Sequence, residues 1–141
     1  MSEDCLFCQI VAGDIPSHTV YEDDDVYAFL DVNPLARGHT LVIPKAHHER
    51  IRDLPEADAE AIGAAVAKVS PAVEDAVDAP ASTVAYNNGR AAGQEIDHVH
   101  AHVVPRWEDD GAGSFHTLFG SIEEVDDDEM ATIAEDISAG V

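Results

Sequence analysis

The chain has 141 residues, 45% of them hydrophobic, the size of one globular domain able to bury a continuous core. Its 29 acidic residues against 7 basic ones give a net charge of −22, which argues against nucleic acid as a partner. No run approaches the ~18 apolar residues a membrane span needs, and Met1-Ser2-Glu3-Asp4 lacks the basic start of a signal peptide, so a cytoplasmic protein is expected.

Along the chain, Leu6, Phe7, Ile10 and Val11 within Cys5–Ala12 predict a short helix ended by Gly13. Thr19–Glu22 and Val26–Asp31 read as an antiparallel hairpin around the Asp23-Asp24-Asp25 turn, and His39–Ile43 as a third strand that Pro44 ends. Asp53 and Glu56 resemble a capping box opening a long amphipathic helix with Ile62, Val66, Val69, Val73 and Val77 on one face, kinked near Pro71. Ser82–Tyr86 is a fourth strand, Asn87–Gly93 a glycine-bearing loop, His98–Val104 a fifth strand, and Glu123–Ile137 a last acidic helix. The order predicts an α+β domain with a five-stranded antiparallel sheet, in a single domain over 1–141 with a core of about 1–115 and an acidic C-terminal extension over 116–141. Acidic blocks such as Asp126-Asp127-Asp128-Glu129 sit between apolar positions and read as solvated faces. A surface this acidic repels itself in dilute salt, and at ~1 M salt the screening length falls to about 3 Å, which points to a salt-rich, halophilic cytoplasm.

Alternation along a strand puts His98, His100 and His102 on one face and Val99, Ala101 and Val103 on the other. Three imidazoles in a row are hard to explain as packing. Near neutral pH they serve as nucleophile, acid, base or metal ligand, leaving chemistry on phosphorus and chemistry on zinc as the two readings. Cys5-Leu6-Phe7-Cys8 is a C-x-x-C pair in an otherwise cysteine-free chain. A metal, or no ligand at all, is expected there ahead of a disulfide, and no thioredoxin-like strand precedes the pair to suggest redox activity.

The run His98-Val99-His100-Ala101-His102-Val103-Val104, with Gly93-Gln94 before it and Pro105-Arg106 after it, resembles the histidine triad family. Phe29-Leu30-Asp31-Val32-Asn33-Pro34, Gly38-His39 and Leu41-Val42-Ile43-Pro44-Lys45-Ala46-His47 resemble earlier family segments in the same order. The resemblance implies a histidine triad fold and a nucleotide hydrolase or transferase. In such an enzyme His100 attacks the α-phosphorus of an NMP-X compound, a nucleoside phosphoramidate or dinucleoside polyphosphate, forming a covalent nucleotidyl-histidine. His102 is then expected to contact the phosphate and help the leaving group. Asp31 is expected at the ribose hydroxyls, Phe7, Ile10 and Phe29 around a purine base, and Asn87 and Gln94 near sugar and phosphates. The glycine loop is expected to bring backbone amides to phosphate oxygens. Glu95 stands where better-known phosphoramidase members carry a hydroxyl, a departure that bears on the leaving group.

The resemblance also implies a structural zinc held by Cys5, Cys8, His47 and His98, with His48 a competing candidate, and no organic cofactor. His39 is expected to pack behind the site and orient a partner, with His18 and His116 at the surface, and the molecule is expected to be a homodimer joined sheet edge to sheet edge. Two other functions fit the same residues: a metallohydrolase with catalytic zinc on all three triad histidines, and a nucleotide-binding or partner-binding module without turnover.

Overall fold

A computed structural model describes residues 4–141; Met1–Glu3, and with them most of the chain start weighed against a signal peptide, lie outside the described residues. The chain divides into two compact units, one ending at Asp110 and one spanning Gly111–Val141. The first unit runs α1 (Leu6–Val11), β1 (Thr19–Glu22), β2 (Val26–Leu30), β3 (Thr40–Pro44), α2 (Glu56–Ala76), β4 (Ala81–Ala85) and β5 (Ala101–Arg106). The five strands form one antiparallel sheet in the order β1-β2-β3-β5-β4, so the architecture is α+β as expected.

Each face of the sheet has its own apolar layer. On one, Val26, Ala28, Val42, Val99, Ala101 and Val103 meet Ile62, Ala65, Val69 and Val73 of α2, whose spacing of three to four residues aligns them along a single helical stripe. On the other, Tyr27, Phe29, Leu41 and Ile43 meet Cys5, Phe7, Cys8 and Ile10 of the α1 segment. Burying a side chain such as Ile43 or Ile62, both almost wholly excluded from solvent, contributes roughly 1.5–3 kcal/mol. β3 is buried along its whole length and forms the rigid middle of the sheet.

Two local expectations are corrected. Asp53 does not cap α2, whose N-cap is Pro55 without a side-chain bond. Its carboxylate instead accepts the Arg50 backbone N–H at 3.1 Å and closes a 3₁₀ turn at Ile51–Asp53. The last strand starts at Ala101 rather than His98, because pairing with β3 ends at Val42↔Ala101. Beyond that point the Pro44 carbonyl accepts a hydrogen from the His98 ring, and the Val99 amide turns to the His48 carbonyl. The chain nevertheless stays extended enough that Val99 lies in the α2-side layer while His98 and His100 meet Phe7 of the other layer edge to face.

The second unit contains a 3₁₀ turn at Phe115–Leu118 and α3 (Asp127–Gly140), opened by Asp126, whose carboxylate accepts the Glu129 N–H at 2.9 Å. No helix among the described residues is long and apolar enough to cross a membrane.

Candidate active site and metal cluster

The imidazoles on the α1 side of the sheet are fixed by a set of hydrogen bonds that assigns a tautomer to each ring. His100 Nδ1 lies 2.7 Å from the backbone oxygen of His98, so Nδ1 carries the proton and Nε2 keeps its lone pair. His98 Nε2 donates to the Pro44 carbonyl at 2.8 Å, so its Nδ1 is the free ligand atom. The exposed-loop amide of Leu35 donates to His39 Nδ1 at 3.0 Å, so His39 carries its proton on Nε2 and donates it to His102 Nδ1, also at 3.0 Å. His102 is thereby left with a proton on Nε2. His39 sits behind His102 and orients it, the part expected of it.

Burial favours the neutral form of His102 and His39. Desolvation, then the neighbouring His100 and His39, pushes His102 down to about 4, and desolvation lowers His39 although the nearby Asp31 carboxylate, 3.7 Å away, opposes it. Near pH 7 His102 is therefore a neutral imidazole with its proton on Nε2.

Around His100 and His102, the rings of Phe7 and Phe29 meet edge to face at 5.5 Å, and Phe7 meets His100 at 5.1 Å. Ile10 is buried beside them. Asp31, one-fifth exposed, accepts the Asn33 N–H on one carboxylate oxygen and has the other toward His39. The loop before the triad is folded by Gln94, buried and fully occupied: its Oε1 accepts the Gly89 N–H at 2.7 Å and its Nε2 donates to the carbonyls of Glu49 and Ile96. Asn87 is half-buried against Gly93. Glu95 is exposed and lines a depression of about 360 Å³ together with Cys5, His47, Glu49 and Asp97, on the cysteine side of the site.

Cys5, Cys8, His47 and His98 come together with their ligand atoms all within 4.8 Å of one another. Cys5 Sγ is 3.3 Å from His98 Nδ1, Cys8 Sγ is 3.6 Å from the same atom, and Cys8 Sγ is 3.4 Å from His47 Nδ1. A tetrahedral zinc with bonds of about 2.0–2.3 Å spaces its ligand atoms roughly 3.5 Å apart, so the cluster fits such an ion. Without an ion, burial and then Cys5 push the Cys8 thiol up to about 11, so a bound dication would have to displace its proton. His48, the competing candidate, turns away and pairs with Asp58 at 3.1 Å. A second cluster, Asp31, His39 and His102, has the ligand types for a metal but the wrong tautomer. Coordination through His39 Nε2 needs Nδ1 protonated, and Nδ1 already accepts the Leu35 N–H.

Residue types, spacing and the resemblance named the rings and the four residues that the fold brings together, but not the backbone groups that set the tautomers: the carbonyls of His98 and Pro44 and the amide of Leu35. A backbone partner carries no residue-type signal, so only the fold reveals it.

Comparison with known proteins agrees with this geometry. The profile of the HIT domain matches residues 12–109. The protein Hit of Bacillus subtilis is 44% identical over 114 residues, 80% of this chain and 79% of its own. An adenosine 5'-monophosphoramidase of Saccharomyces cerevisiae is 41% identical over 105 residues, 72% of this chain and 62% of its own. Among solved structures, one from Streptococcus mutans superposes with a TM-score of 0.87 at 40% identity, covering 97% of this chain and 85% of that one. A zinc-bound histidine triad family protein from Mycobacterium smegmatis superposes at 0.75 with 35% identity, covering 99% of both chains. On the profile match and on relatives this similar over most of the chain, the protein belongs to the HIT, or histidine triad, family.

Proposed function

We propose that the protein hydrolyses or transfers nucleotides from NMP-X compounds, nucleoside phosphoramidates or dinucleoside polyphosphates, through a nucleotidyl intermediate on His100. The observation that carries this reading is the bond from His100 Nδ1 to the His98 carbonyl, which leaves Nε2 as the one nitrogen free to attack. The lone pair of Nε2 forms a bond to the α-phosphorus while the P–X bond breaks and its electron pair leaves on X. His102 Nε2–H, fixed as a donor through His39, stabilises the negative charge on phosphate and leaving atom, and X takes a proton from water. Water, or the hydroxyl of another acceptor, then attacks phosphorus and gives up its proton to the hydroxide left in solvent, while the P–N bond breaks and its electron pair returns to His100.

Phe7, Ile10 and Phe29 form the wall for a base, Asp31 accepts hydrogens from ribose hydroxyls, Asn87 stands at the sugar and phosphates, and Gln94 acts by holding the Gly89 loop in place. A purine is the expected base, as the name of the yeast relative supports. Cys5, Cys8, His47 and His98 are the residues that would hold zinc, whose closed coordination supplies structural cross-linking and no open position for chemistry. The neighbour described as zinc-bound supports that reading.

The test is a panel of nucleoside phosphoramidates, dinucleoside polyphosphates and nucleotide sugars assayed at molar salt. His100→Ala is expected to lower turnover of the best substrate by at least about 10³-fold, and wild type to yield an acid-labile nucleotidyl-protein adduct that the variant lacks. Wild-type rates in the variant would remove His100 from the mechanism, and complete loss of activity on zinc removal with all substrates still bound would favour a metallohydrolase.

A further inference from the structure

We propose that the cysteine–histidine cluster and the nucleotide pocket are thermodynamically linked, so that an ion held by Cys5, Cys8, His47 and His98 tightens nucleotide binding and a bound nucleotide tightens the hold on the ion by the same factor. The proposal rests on the reading of Phe7, Ile10 and Phe29 as the base wall and of the four-residue cluster as a metal site.

The two sites share one short piece of chain. α1 has only six residues, far below the ~12–15 at which an isolated helix becomes even marginal in water, so what it packs against must hold it in place. Cys5 is its N-cap, with Sγ accepting the Cys8 N–H at 3.3 Å, and Cys8 lies in its first turn. Phe7 and Ile10 alternate with these ligands on the same buried side. The Phe7 ring alone touches a ligand, the nucleophile and the facing pocket wall, at 5.9 Å from His98, 5.1 Å from His100 and 5.5 Å from Phe29. A second connection runs through His98 itself, whose ring enters the cluster and whose carbonyl fixes His100 Nδ1.

The α1 cysteines lie 3.3–3.6 Å from the imidazoles of His98 and His47, and thiol–imidazole hydrogen bonds at such separations are weak ties on their own. With an ion, four bonds of about 2.0–2.3 Å lock the same atoms. By this linkage an ion bears part of the cost of fixing α1 against the triad strand, so a nucleotide that needs the base wall in place meets a smaller ordering cost in the loaded protein. Whichever ligand binds first lowers the cost for the second, and the reciprocity follows from linkage.

Calorimetric titration of adenosine 5'-monophosphate into zinc-loaded and metal-stripped full-length protein, both at molar salt, tests the proposal. The stripped protein is expected to bind the nucleotide about tenfold more weakly. Competition for zinc with a chromogenic chelator, starting from loaded and folded protein and corrected for zinc bound by the nucleotide itself, should show zinc held about tenfold more tightly when the nucleotide is saturating. This second measurement stays valid if the stripped protein loses its fold. Phe7→Ala, which retains all four ligands, is expected to bring the coupling within twofold of none, and coupling that survived intact would overturn the route through α1. Equal nucleotide affinity with and without zinc overturns the linkage alone, as does failure to bind zinc. Absence of nucleotide binding to the loaded protein overturns the functional reading and the linkage together.

Discussion

At the scale of single residues, chemistry here is decided by where protons sit. His102 is kept neutral by burial and by its imidazole neighbours, with its folded value down to about 4 against an ordinary value of 6.5. Between those values the unfolded chain binds a proton at this position that the folded protein refuses, so the stability His102 contributes is present above about pH 6.5 and lost as pH falls through about 4. His102→Gln removes that dependence. Denaturant unfolding of wild type and variant between about pH 7 and pH 4.5 is therefore expected to show wild type losing more stability on acidification, and parallel losses would show that this ring titrates in the fold as it does in the unfolded chain. The spacing of His98, His100 and His102 was enough to put three imidazoles on one side, and the resemblance named Cys5, Cys8 and His47 as the residues that gather around His98, as the fold brings them together. The protons could not be placed from spacing, because their partners are main-chain groups: the His98 carbonyl two residues before His100, the Pro44 carbonyl of β3 and the Leu35 amide.

At the scale of elements, the glycine loop shows a backbone shape that local sequence requires. Gly89 has φ +92° and ψ 159°, a region open essentially to glycine alone, and a Cβ there would lie 2.9 Å from the Arg50 guanidinium carbon. Arg50 can swing away, but the backbone strain remains. Gly89→Ala is expected to cost about 1–3 kcal/mol in denaturant unfolding and to weaken nucleotide binding, since Gln94 can no longer hold the Gly89 amide in its present direction. Unchanged stability would mean that the loop adopts another shape at no cost. α2 was legible from apolar periodicity, with Ile62, Val69 and Val73 buried and Val66 packed beside them although Val77 falls past the helix end, and β1 was legible from its valine and aromatic content. The start of β5 was not, because a ring nitrogen competes with the ladder for the Pro44 carbonyl, a contest that no periodicity encodes.

At the scale of the whole molecule, charge and sheet edges govern behaviour. β1 carries a register shift between Thr19 and Tyr21 and ends on a charged residue, two devices that discourage pairing at an edge. β4, the opposite edge, is Ala81-Ser82-Thr83-Val84-Ala85, without charge or proline, and Val84 is exposed within this unit. If the chain pairs as the homodimer that the family resemblance implies, that contrast favours β4 as the edge at which the sheets join. Two copies of a chain with net charge −22 meet against strong repulsion, which salt screens. Melting temperature and the dimer fraction by sedimentation are both expected to rise steeply from about 0.1 M to molar salt, and a protein equally stable and equally associated at low ionic strength would refute the halophilic reading. Charge gave that expectation from composition alone, whereas the division of the chain after Asp110 depends on which residues touch in space.

The Leu35 amide belongs to a residue that is 79% exposed, yet its hydrogen points at a buried ring nitrogen. In a loop of this kind main-chain protons normally trade with solvent within moments, and this one is expected to trade slowly and to resonate apart from its neighbours. It is a surface reporter of the proton inventory inside the pocket. Adding an acid proton to His39 Nδ1 would evict the Leu35 hydrogen, so a two-dimensional amide spectrum recorded across a pH series should register the change at Leu35, away from the reacting atoms themselves.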